Sequence, residues 1–161
     1  RKSHTALFTI SYQIGVLSPT TEEDSLQFLN EFQATIDGID GFRLFIHNSS
    51  IALLMFIPGF GVIWGIFTGW STGCGFAAIV ASLPELSDIP PLAILYLSPF
   101  GILELVAYSI GMSRSCMITY AALKHRSVKP QLLSIGIEIF IVLVLLLIAG
   151  YVEFAMMINN Y

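Results

Sequence analysis

The sequence predicts an all-α, multispan helical membrane protein: one integral membrane domain over residues 1–161 with about five transmembrane helices. Composition points there first. The chain is 55% hydrophobic and only 11% charged, less than half the roughly 25% of a globular domain. Its mean hydropathy is +0.80. Patterning is the second observation, because residues 44–84 contain no Asp, Glu, Lys or Arg. With about 20 apolar residues per span, that run is two spans long. A buried helix of a soluble domain does not extend so far.

The first expected span covers residues 5–17 and is diluted by Ser11, Tyr12 and Gln13. A signal peptide behind Arg1 and Lys2 is the competing reading. The acidic loop is not preceded by an Ala-x-Ala-like cleavage site, which favours a span. A four-span arrangement, with this segment lying on the surface, is the other alternative. A chain opening on Arg1 in place of Met is expected to start inside a longer or processed product.

Residues 18–41 form an external acidic loop with Glu22, Glu23, Asp24, Glu31, Asp37 and Asp40. Within it Ser18-Pro19-Thr20-Thr21 resembles a helix start, and the following acids suit the positive end of a helix dipole. Leu26, Phe28, Leu29, Phe32 and Ile36 recur near helical spacing, so a short amphipathic helix is expected over 21–36. It lies at the outer interface or against a partner, or else is a solvated acidic cap.

The second expected span, 45–67, opens with His47, Asn48, Ser49 and Ser50, where Asn48 can bond a neighbouring helix, and Pro58-Gly59 reads as a kink. The third, 70–83, is short for a crossing, so it is tilted, re-entrant or extended towards Leu86. Gly61, Gly65, Gly69 and Gly73 repeat every four residues, a pattern that lets helix backbones approach closely in lipid. The ladder crosses the expected turn between these spans, so only part of it can form one stripe. It packs within the chain or against another subunit.

The fourth expected span, 92–112, holds Glu104 in an otherwise apolar stretch. A carboxylate in hydrocarbon faces a bundle interior, a partner or water. Pro99 and Gly101 suggest a broken helix start, and Glu104 would face its free N–H groups, a hydroxyl, or Arg114 on a neighbouring helix. The fifth, 132–154, carries Glu138 and Glu153. Glu138 and Glu104 can share a proton or pair with Arg114, structural carboxylates being the plainer reading. Lys124, Arg126 and Lys129, with Arg114 nearby, mark a cytoplasmic loop between these two spans. The N-terminus is then cytoplasmic and Tyr161 external, in the cell membrane.

His4, His47 and His125 sit apart, and Cys74 and Cys116 fall in different spans, so neither a metal site nor a disulfide is expected. Gly59-Phe60-Gly61 with Gly65 lies in a span and lacks the strand context of a dinucleotide fingerprint. The basic loop reads as a membrane anchor and not as a nucleic-acid patch. No cofactor and no enzymatic activity are expected.

Two stretches resemble a known family. Phe45-Ile46-His47-Asn48-Ser49-Ser50-Ile51-Ala52-Leu53-Leu54, with its glycine-rich continuation to Gly75, is similar to the Asn-containing start of a long apolar span. Pro99-Phe100-Gly101-Ile102-Leu103-Glu104-Leu105-Val106-Ala107 resembles a Pro-His-Gly-x-x-Glu-Leu-x-Ala segment, with Ile110-Gly111 following. Both belong to the integral membrane family named after stage II sporulation protein M. The chain departs from that pattern at Phe100, Ser49 and Thr72-Gly73, which stand for a histidine, a second asparagine and an Asn-Gly pair. The resemblance implies a scaffold that holds other integral membrane proteins together, as a homo- or hetero-oligomer through the glycine-rich helices and in contact with lipid. The rival expectations are an accessory subunit of a membrane oxidoreductase or transporter whose active centre lies in another chain, and a small channel or transporter built around Glu104 and Glu138.

Overall fold

The computed structural model describes residues 2–18, 21, 23, 26, 27, 30, 40–82 and 88–159. Every regular element among them is helical: α1 (Lys2–Val16), α2 (Gly41–Leu54), α3 (Phe60–Ser82), α4 (Pro91–Leu97), α5 (Pro99–Leu123), a 3₁₀ turn (Lys129–Gln131) and α6 (Leu132–Asn159). The amphipathic helix expected over 21–36 falls mostly outside the described residues.

Among the described residues two segments are long and apolar enough to cross a membrane, Phe60–Ala81 with 22 residues and Lys129–Met156 with 28. A third is reached if α4 and α5, bent by 80° at Ser98, count as one broken span. At 1.5 Å per residue α1 and α2 are only about 22 Å long, against a hydrocarbon core of about 30 Å. These lengths support a helical membrane protein without carrying the count of five.

The boundaries differ from those expected. The charge-free run breaks at residues 55–59 and not near 68, so the expected spans 45–67 and 70–83 become α2 and α3. Pro58 has no N–H and its ring clashes with the carbonyl four residues back. Gly59 takes φ +77°, the left-handed region that glycine enters freely. Its N–H donates to Thr119 Oγ1 over 2.6 Å, fixing the turn against α5. The Pro-Gly pair therefore ends a helix where a kink was expected. The fourth expected span, 92–112, breaks at Ser98 and runs on to Leu123.

Local chemistry sets the helix starts. Asp40 accepts from the Arg43 N–H at 2.8 Å to cap α2. Ser98 accepts from the Gly101 N–H at 3.1 Å to cap α5, with Pro99 in the first turn, where a missing N–H costs nothing. At the far end of α5, His125 adopts φ +51° while the N–H groups of His125 and Arg126 return to Ala122 and Ala121. This is a Schellman closure with histidine where glycine is usual.

Cross-contacts fix the directions. Gly61 faces Ser115 and Gly65 faces Met112, so α3 and α5 are antiparallel. Asn48 meets Glu104, and Ala52 and Met55 meet Gly111, so α2 runs parallel to α5. Gly69 meets Phe8 and Gly73 meets Tyr12, so α1 runs alongside α3 in the same direction. Phe8, Tyr12, Met55, Met112, Val142 and Leu146 form the buried centre. Outside, Leu133 is 77% and Phe140 67% exposed, with Ile63 and Phe67 on α3 also open. Such a broad apolar exterior is foreign to water-soluble monomers and suits lipid.

Candidate functional site

The polar groups inside the bundle lie along α5 and reach out to its neighbours. On α2, Leu44, Asn48 and Ala52 form a buried row at four-residue spacing. The middle member of that row faces α5, and Asn48 Nδ2 donates to Glu104 Oε1 at 2.5 Å. The helix start does not claim this carboxylate. Ser98 answers the Gly101 N–H, so Pro99 and Gly101 shape the break while Glu104, on the next turn, is left to reach α2. Glu153 of α6 lies within electrostatic reach of Glu104, and Tyr108 within reach of both.

Arg114 lies elsewhere than expected. It is inside α5 and not in the loop, buried between Ser113 and Ser115. Arg114 Nε donates to Glu138 Oε2 of α6 at 2.6 Å, with side chains only 6% and 12% exposed. Nη1 donates to Gln131 Oε1 at 3.3 Å. The physical reason is that an arginine with a carboxylate on the facing helix is tolerated inside apolar surroundings, whereas an unpaired one is not. Arg114 is thus an interhelical tie and not a positive-inside anchor. Glu138 and Glu104 are held by different partners on different helices.

The glycines divide between two neighbours. Each four-residue step turns the helix by about 40° beyond a full rotation, so the ladder drifts around α3. At Gly61 a Cβ would be driven into the Met55 carbonyl and lie 2.8 Å from Ser115 Cβ. One at Gly65 would lie 2.5 Å from Met112 Sδ. Gly69 and Gly73 instead face α1, where a Cβ would collide with Ser11 Oγ and the Tyr12 carbonyl. All four sit on one helix, against the expectation that a turn divides them, and all four meet groups of this same chain.

Further ties were missed from sequence. Thr5 Oγ1 and Ser109 Oγ share a 2.8 Å bond between α1 and α5. Ser115 Oγ donates to the Ile57 carbonyl at 2.6 Å. Tyr12 donates to the Pro91 carbonyl at 2.9 Å, and Trp64 Nε1 to the Ile51 carbonyl at 3.2 Å. A hydroxyl in a span is a weak signal, because it can bond its own helix equally well.

The Asn48–Glu104 pair gives a direct prediction. Glu104→Gln keeps an acceptor for Asn48 and is expected to hold near wild-type abundance. Glu104→Leu leaves the buried amide unpaired, at roughly 1–3 kcal/mol, and is expected to lower abundance and detergent melting temperature. Equal behaviour of the two variants would show that the bond contributes nothing to the fold.

No curated protein and no solved structure matches the chain. The family described as Stage II sporulation protein M matches residues 4–155, nearly the whole sequence. With that match, and with helices among the described residues long and apolar enough to cross a membrane, the chain belongs to the stage II sporulation protein M family.

Proposed function

We propose that this chain is a non-catalytic membrane scaffold that assembles with other integral membrane proteins. One observation carries the reading. Two polar pairs inside the bundle join different helices, Asn48 with Glu104 and Arg114 with Glu138. Groups used this way fasten helices together and hold a rigid apolar exterior on which other spans can pack. The test is quantitative mass spectrometry of what co-purifies with the native protein. Defined membrane partners recovered in constant ratio support a scaffold; a chain recovered alone at wild-type yield sinks it.

One observation favours a second reading. Glu104 lies within electrostatic reach of Glu153 on α6, and two carboxylates on facing helices suit a proton or cation pathway. Purified protein in liposomes distinguishes the two. Ion flux abolished by Glu104→Gln, with assembly intact, would favour the pathway.

The proposed topology has five passes, with α1 and α2 as the short ones, a cytoplasmic N-terminus and an external C-terminus. Charge supports it. Lys124, Arg126 and Lys129 gather beyond the end of α5, whereas Asp40 and Asp88 precede α2 and α4 at the opposite end. In a background with Cys74 and Cys116 replaced by serine, Ser127→Cys is expected to resist an impermeant maleimide in intact cells. Asp88→Cys is expected to react, and the reverse pattern would invert the topology.

A further inference from the structure

We infer that the cleft between the end of α5 and the start of α6 binds the phosphate of an anionic lipid headgroup. It has a volume of about 430 Å³, within the ~300–1,000 Å³ range of ligand pockets. Its polar lining is Arg114, Tyr120, Arg126, Gln131 and Ser134, with no carboxylate among the lining side chains. Each of these groups can present an N–H or O–H donor to an anion. Residues 105–137 contain no Asp or Glu.

Two arginines play different parts. Arg114 spends Nε on Glu138 and Nη1 on Gln131, but a guanidinium carries five N–H donors, so it can still present positive charge to the cleft. Among the described residues the Arg126 side chain has neither an ion pair nor a hydrogen bond. Its backbone is nevertheless fixed, since its N–H closes the end of α5 on the Ala121 carbonyl at 2.9 Å. Lys124 stands 6.0 Å from the Tyr120 ring centroid, and Lys129 heads the 3₁₀ turn. Two arginines of the lining thus stand against one carboxylate, with Lys124 and Lys129 close in sequence, an excess of positive charge that an anion would balance.

Position selects a lipid over a free anion. The apolar segment Lys129–Met156 begins at this cleft, which places it where hydrocarbon gives way to headgroups. Met117 and Ala121 line its apolar side, and exposed Leu123 and Leu133 lie near its rim in sequence. Acyl chains gain from that surface, and inorganic phosphate does not. Basic pockets between membrane helices are suited to anionic headgroups. The inference rests on the membrane setting alone and is independent of the scaffold role.

Native mass spectrometry of the full detergent-purified chain tests it, with phosphatidylglycerol, phosphatidylcholine and inorganic phosphate as probes. Phosphatidylglycerol is expected to bind about tenfold more tightly than phosphatidylcholine. Arg126→Gln is expected to weaken phosphatidylglycerol binding about tenfold, and Lys129→Gln, which removes the same charge outside the cleft, less than about threefold. Equal losses in the two variants would mean diffuse surface attraction and overturn the site. Equal affinity for the two lipids would overturn it as well. Inorganic phosphate that displaces the lipid at equal concentration would overturn the lipid assignment and leave a soluble-anion site.

Discussion

Arg114→Leu is expected to cost about 3–5 kcal/mol of stability, because it removes the charged partner of a carboxylate that is only 12% exposed. The Arg114 guanidinium and Glu138 are 2.6 Å apart and both nearly closed to the outside. Removing the cation also strips Gln131 of a donor. The expected result is a collapse in purified yield and a large fall in detergent melting temperature. The double variant Arg114→Leu/Glu138→Leu removes both charges and is expected to recover much of the loss, since two apolar side chains replace a pair whose net contribution is small. Should the single variant melt like wild type, the pair would have to be open to water in the membrane.

Gly73→Leu is the second large effect. The added Cβ meets the carbonyl of Tyr12, and Val16 N lies 2.9 Å from it on the same helix. These are backbone atoms of α1 and cannot rotate aside, so α1 must lift from α3. Overpacking typically costs about 1–3 kcal/mol, and here the displaced element also carries the Tyr12 bond to Pro91 and the Thr5 bond to Ser109. Limited proteolysis of α1 should accelerate together with a drop in melting temperature. Gly136→Leu is the control, because nothing lies within 4 Å of its Cβ position on α6. If the two variants melt alike, the glycine contacts between α1 and α3 carry no weight.

Composition made the helical membrane class legible, since hydropathy reports the solvent a chain prefers. It did not make the helix ends legible. Across residues 60–82 the apolar content is nearly even, and the expected turn falls between residues 67 and 70. In the structure Thr72 donates to the Thr68 carbonyl one turn back at 2.8 Å, so the threonine satisfies itself without breaking the helix. The real break depends on the φ freedom of Gly59 and the missing N–H of Pro58, both visible in sequence but read as a bend. Arg114 shows a different limit. The sequence offers Glu138 as a partner for Arg114 and the structure makes that pair, yet an arginine near a run of basic residues still looks like the end of a span. Asn48 and Glu104 stood out as polar points in apolar runs, but their pairing across 56 positions required the fold.

The placement of α1 has a consequence for how the protein is made. This helix leaves the ribosome before every other described element, yet its hydroxyls bond Pro91, 79 positions later, and Ser109, 104 positions later. At translation rates of about 5–20 residues per second, Ser109 is made roughly 5–20 seconds after Thr5. The grooves of α3 are complete only once Ser82 is made, the Tyr12 partner only at Pro91, and the Thr5 partner last of the three, at Ser109. The insertion machinery or the surrounding lipid must therefore shelter α1 while the remaining helices accumulate. Among the described elements, the one made first completes its bonds only after α5 has begun to form.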